Sequence, residues 1–105
     1  MIKPYPVNKE YFISDHGDVF RVTKLKPQKN RNGYIRVQIF DNKEKKRVNK
    51  MVHKLVIETF KGKIPAGMQV NHIDKIRDNA RLDNLEIVTA LENTIHRDEF
   101  IEAPF

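Results

Sequence analysis

The residues best suited to chemistry gather in the last third of the chain: Asn71-His72-Ile73-Asp74, then Asn84 and Asn93, with His53 and His96 to either side. An imidazole with an unperturbed pKa of about 6.5 can take a proton from water near neutral pH. Amide and carboxylate oxygens suit a hard divalent cation such as Mg²⁺, most readily where phosphate oxygens and water complete the octahedron. Hydrolysis of a phosphodiester needs all of these: a base to activate water, a cation to stabilise the phosphorane charge and the departing 3′ oxygen, and a group that keeps the base oriented. The chain has no cysteine. That excludes a thiolate nucleophile, a disulfide framework and a cysteine-type zinc site, leaving any metal to oxygen or imidazole ligands.

The local pattern can bring these groups together. A short strand, Met68-Gln69-Val70, leads into Asn71-His72; residues 75–83 are polar and turn-like; Leu85-Glu86-Ile87-Val88 forms a second strand. Thr89-Ala90-Leu91-Glu92 has the spacing of a capping box, so a helix is predicted from there to about Asp98, carrying Asn93 on its second turn. Strand, connection, strand and helix then bring His72 and Asn93 together across a small hairpin. Upstream, Val52, Leu55, Val56 and Phe60 recur at helical spacing around Lys54 and Glu58, which predicts a helix of two to three turns stopped by the Gly- and Pro-containing stretch from Lys61 to Gly67. Before it, Ile35, Val37 and Ile39 alternate with Arg36 and Gln38, the period of a strand with one wet, basic face. Lys46 to Met51 returns as its partner. Tyr11–Ser14 and Val19–Val22 read as two strands about a turn at Gly17, and residues 24–33 as a loop. The expected fold is α+β: a small N-terminal antiparallel sheet followed by a helix and a C-terminal hairpin-helix unit. One domain is expected over 1–105, with a basic β module at 1–51, the chemical unit at 52–98 and a tail at 99–105.

Twenty Lys and Arg against 14 Asp and Glu give a formal charge of +6, which favours polyanions without choosing among them. The distribution is more telling. From Arg21 to Lys63 there are 14 basic and 3 acidic residues, and from Ile64 to Phe105 there are 4 basic and 8 acidic. A phosphate-facing surface is therefore expected on the β module, with Lys24, Lys26, Lys29, Arg31, Arg36, Lys45, Lys46, Arg47 and Lys50 as its candidates. The plainer reading of such a run is a solvated surface. No segment approaches the roughly 18 apolar residues of a membrane span, and the N-terminus lacks the apolar run of a secretory signal, so a cytoplasmic protein is expected.

Val52-His53-Lys54-Leu55-Val56, Val70-Asn71-His72-Ile73-Asp74, Asn79, Arg81-Leu82, Asn84-Leu85-Glu86, Val88-Thr89 and Glu92-Asn93 together resemble the HNH (ββα-metal) endonucleases of phage and intron-encoded homing type. Tyr11 to Phe40 is similar, more loosely, to the β module often found before such nuclease units. The resemblance implies that His72 is the general base, that Asn71 and Asn93 are metal ligands, and that Asn84 is the central asparagine that braces the hairpin. His53 is a candidate for supporting the site, although packing or capping would equally explain it. The implied cofactor is one divalent ion, Mg²⁺ or else Mn²⁺, and the implied partner is double-stranded DNA, bound by a monomer or weak dimer. The implied products of nicking are a 5′-phosphate and a 3′-hydroxyl. Two positions depart from the family. Asn71 stands where Asp is frequent, removing a charge from the metal site, and Lys75-Ile76 stands where Gly-Asn is common.

Other readings use the same residues. His72 by itself would pass for a packed structural histidine, and Asn71 and Asn93 for turn or capping amides; only the combined pattern favours chemistry. The main rival is an HNH scaffold that binds DNA without cutting it, which Asn71 and Lys75-Ile76 favour. A ribonuclease or colicin-like toxin is a third. Asp74, Asp78 and Asp83 lack the Gly and bidentate Glu spacing of a calcium loop.

Overall fold

The alternation at Ile35, Val37 and Ile39 produces a strand whose apolar side is buried and whose Gln38 is exposed. The structure, a computed structural model, describes residues 1–93. Three antiparallel sheets occur among them. The first joins β1 (Ile2–Pro4), β2 (Phe12–Ser14) and β3 (Val19–Phe20). The second joins β4 (Gln28–Lys29), β5 (Ile35–Asp41) and β6 (Lys46–Met51). The third is the hairpin of β7 (Met68–His72) and β8 (Leu85–Thr89). The α+β class is as expected, but the N-terminal half carries two small sheets rather than one. β1 and β4 were not legible because Ile2-Lys3-Pro4 and Gln28-Lys29 lack the β-branched and aromatic run about a glycine turn that marks β2 and β3; partner strands define them.

The helix α1 (Val52–Phe60) follows β6 without a loop and has no side-chain cap at its N-terminus. Burial, not capping, holds it: Val52, Leu55, Val56 and Ile57 are at most 1% exposed, each such side chain contributing about 1.5–3 kcal/mol. At its end Gly62 takes a φ of +95°, and the N–H groups of Lys61 and Gly62 both donate to the Ile57 carbonyl, closing the last turn. The core gathers Tyr5, Tyr11, Ile13 and Val19 from the first sheet region, Val37 and Ile39 from β5, the apolar face of α1, and Ala80 and Leu85 from the hairpin unit.

Two contacts fix the β module against the hairpin. Gly17 has a φ of +89°, and a Cβ there would lie 3.0 Å from the Ala80 carbonyl oxygen, so only glycine lets this turn approach so closely. Beside it the Leu82 N–H donates to the Asp15 carbonyl at 2.9 Å. A one-turn 3₁₀ helix (Leu82–Asn84) then delivers the chain into β8. The expected capping box forms: the Thr89 N–H donates to Glu92 Oε1 at 2.9 Å and the Glu92 N–H to Thr89 Oγ1 at 3.1 Å. A helix starts at residues 90–93. Its expected run to Asp98, His96 and the tail lie outside the described residues.

Candidate active site

Successive residues of a strand point to opposite faces, and β7 separates its two final side chains accordingly. His72 pairs with Leu85 and Asn71 with Glu86. The face bearing Val70, His72, Leu85 and Ile87 turns to the core. There the His72 ring meets the His53 ring of α1 edge-on at 4.9 Å, and Tyr34, just before β5, lies 5.3 Å from His53 and 5.5 Å from His72. His72 is 6% exposed and His53 8%. His72 Nε2 and His53 Nδ1 are buried without a hydrogen-bond partner, a condition that a purely structural histidine seldom keeps.

Burial lowers the pKa of His72, with Arg77 adding to the effect and Asp74 and Asp78 opposing it. His53 is pushed down to about 4, chiefly by burial and further by His72 and Lys54. Both rings are therefore neutral at pH 7, the state from which an imidazole accepts a proton. The same burial predicts a pH-dependent stability. Between about pH 6.5 and 4 the unfolded chain protonates His53 while the folded chain does not, so unfolding is favoured as the pH falls. The contribution is fully present above 6.5 and lost through that window, amounting to about 3 kcal/mol. Denaturant midpoints of wild type and His53→Phe between pH 7 and 4 check this: the wild type should lose more, and parallel curves would count against it.

The opposite face of β7 carries the amides. Asn71 is 6% exposed, and its Nδ2 donates to Glu86 Oε1 at 2.9 Å. Asn93 Nδ2 donates to Gln69 Oε1 at 2.7 Å. Asn71 and Asn93 thus bond to side chains on one face of the hairpin, each with its nitrogen committed. The carbonyl oxygen, the atom of an amide that ligates a cation, occupies the other branch of each planar group. Among the described residues no group of three or more His, Asp or Glu is placed to hold a metal ion. Amide oxygens are hard donors of the kind that suits a divalent cation whose shell is completed by phosphate and water, and they do not form a closed cage here.

Asn84 fastens the connection between the strands. Its Nδ2 donates to Asp74 Oδ1 and to the Asn79 carbonyl, each at 2.9 Å. Its Oδ1 accepts the Asp74 N–H at 2.9 Å, and its own carbonyl accepts the Ile73 N–H at 2.8 Å. Burial works against the Asp74 carboxylate, but donors from Asn79, Ile76 and Asn84 outweigh it and hold its pKa below the ordinary range.

With this geometry in view, residues 50–95 match the HNH endonuclease family. A Bacillus subtilis protein described as an SPbeta prophage-derived HNH homing endonuclease is 36% identical over 91% of this chain. Two uncharacterized HNH endonucleases of Acanthamoeba polyphaga mimivirus are 36% and 38% identical over 89% and 84% of it. The solved structure of the HNH homing endonuclease I-HmuI superimposes with a TM-score of 0.85 over the whole chain at 27% identity. The chain carries an HNH endonuclease unit at residues 50–95. It spans 57%, 28% and 23% of those three relatives and 62% of the I-HmuI chain.

The departure from the HNH pattern at Lys75 has a structural expression. Lys75 has a φ of +65°, the left-handed region where glycine is at ease, and its N–H still donates to the His72 carbonyl at 2.9 Å. The turn after the histidine is kept at a cost of roughly 1 kcal/mol relative to glycine. Ile76 retains a bond from its N–H to Asp74 Oδ1.

The basic candidates are not equivalent. Arg36 and Arg47 lie on one face of the second sheet with Gln38 and Asn49, whereas Lys46 and Lys50 register with the opposite face. Arg47 also lines a cleft of about 540 Å³ with Arg21, Thr23 and Gln38. Lys24 pairs with Asp18 at 3.2 Å and Lys29 with Asp78 at 3.0 Å. Lys26, Arg31 and Lys45 are exposed. The Lys29 bridge, with Arg77 donating to the Asn32 carbonyl at 2.8 Å and lying over Tyr34, fastens the basic module to the connection behind His72.

Tyr34, Arg77 and Gln69 were given no role in the sequence, and Glu86 appeared there only as part of the Asn84-Leu85-Glu86 motif. Tyr34 reads as one more strand aromatic, and the partners of Asn71 and Asn93 follow only from the register of β7 against β8. His53 was singled out, and its ring packs directly on His72.

Proposed function

We propose that this chain is a DNA endonuclease that hydrolyses one phosphodiester per visit, nicking duplex DNA to leave 5′-phosphate and 3′-hydroxyl ends. The observation that carries this reading is the hairpin itself, where a neutral imidazole ends β7 and two tethered amides, Asn71 beside it and Asn93 on the following helix, bond to side chains of the same two strands. His72 acts as the general base, its imidazole taking the proton of the water that attacks in line. Its lowered pKa keeps it competent below the usual histidine range, so the acid limb of the rate profile falls below about pH 6.5. Asn84 holds the connection, and His53 and Tyr34 hold the ring. Asn71 and Asn93 hold one divalent ion, Mg²⁺ or Mn²⁺. When bound, the ion supplies charge stabilisation at the phosphorane and the leaving 3′ oxygen.

The basic module holds the duplex by its phosphates, with Arg36, Arg47 and the exposed lysines in contact and Lys24 and Lys29 exchanging carboxylate for phosphate. A single site per chain makes a nick the default for a monomer or weak dimer. The prophage and viral relatives point to work in the cytoplasm of a host cell, and no helix among the described residues is long and apolar enough to cross a membrane. The test is conversion of supercoiled plasmid to open circles at low salt with Mg²⁺, with Mn²⁺ and with EDTA. Nicking that requires the ion is expected. Salt-sensitive DNA retention without cleavage under either metal would transfer the assignment to a binding module, the reading that the uncharged Asn71 favours.

A further inference from the structure

Asn71 removes a charge from a site whose affinity depends on ligand charge, and its immediate neighbour carries one. Asn71 and Glu86 are direct cross-strand partners, joined by the 2.9 Å bond from Asn71 Nδ2 to Glu86 Oε1. Gln69, which holds Asn93, is on the same face one pleat away. Glu86 is exposed, and among the described residues it forms no ion pair: the bridges there engage Glu10, Asp15, Asp18, Asp78 and Asp83. Its second carboxylate oxygen is not used by Asn71.

We propose that Glu86 supplies the negative charge of the cation site, holding Asn71 by its nitrogen so that the amide oxygen and the carboxylate face one divalent ion together. This rests on the reading of Asn71 and Asn93 as cation-holding residues. An Asn–Glu pair across two strands carries the same charge and the same hydrogen bond as an Asp–Gln pair, with donor and acceptor exchanged. The site therefore keeps its charge although the position before the histidine has lost it.

The experiment is a Mn²⁺ titration of the full chain followed through broadening of its amide proton–nitrogen resonances, which locates weak binding without requiring turnover. In the wild type, broadening should concentrate on residues 69–73, 85–87 and 93. Glu86→Gln preserves an acceptor for Asn71 and removes only the charge, so the Mn²⁺ needed for half-broadening should rise about tenfold or more. Asn71→Asp combined with Glu86→Gln moves the charge across the pair and reverses the hydrogen bond. It should return the midpoint to within about threefold of wild type, a rescue that a merely structural Glu86 would not produce. Local broadening in the wild type with an unchanged midpoint in Glu86→Gln, or a double variant no better than the single one, overturns the role of Glu86 and leaves the amide site standing. Broadening that is not local in the wild type overturns both.

Discussion

His72→Ala is expected to lower the nicking rate by about three orders of magnitude, within the range of roughly 10²–10⁴ that a positioned base contributes, while DNA retention and its salt dependence stay unchanged. The separation follows from charge. His72 packs on His53 and Tyr34 and is neutral at pH 7, so its loss should not alter the number of counterions released on binding. Because the ring is also packed, alanine leaves a small cavity. His72→Gln, which keeps a polar side chain of similar volume without an imidazole base, should lose cleavage equally with less effect on melting. Rates on supercoiled plasmid at saturating metal, set beside salt-titrated gel shifts, make the comparison. If His72→Gln cleaves at more than about a tenth of the wild-type rate, the base lies elsewhere.

The second large effect concerns stability. Asn84→Ala is expected to cost about 3–4 kcal/mol, because one 8%-exposed side chain makes three hydrogen bonds across the connection, to Asp74 Oδ1, the Asn79 carbonyl and the Asp74 N–H. A hydrogen bond to a charged acceptor such as the Asp74 carboxylate contributes about 1.5–3 kcal/mol and a neutral one about 0.5–1.5 kcal/mol, and shared networks do not add linearly. For a chain of this size such a loss lowers the melting temperature by roughly 15–25 °C. Asn84→Asp keeps the acceptor but replaces two donations by a second carboxylate facing Asp74, and should be no milder. Asn79→Ala removes one bond at a half-exposed edge, to Asp74 Oδ2, and should cost under about 1 kcal/mol. Thermal unfolding of the three variants decides it: an Asn84→Ala loss below 1 kcal/mol would mean that the connection is held by something other than this amide.

Local chemistry made much of the fold legible. β6, α1 and the capping box could be placed because alternation, helical spacing and a Thr-x-x-Glu signature act over a few residues and do not depend on distant partners. The separation of a basic first two thirds from an acidic last third is likewise a property of the chain alone. The order of His72, Asn84 and Asn93, with the two departures at Asn71 and Lys75, was also visible there. What could not be read is everything that depends on register or on packing between elements. Residues 73–84 are too long and irregular a connection to set the pairing of β7 with β8, so Glu86 opposite Asn71 was not available, and with the strand read as Met68-Gln69-Val70 the division of Asn71 and His72 between two faces was not drawn either. The contact of His53 with His72 joins α1 to β7, and Tyr34 reaches both from the β module; only burial in a shared core brings those rings together. The sequence determined which groups are present and which short elements carry them. The tertiary structure alone decided which of them meet, because side-chain neighbours across a sheet or between layers follow from long-range burial, for which no local pattern stands in.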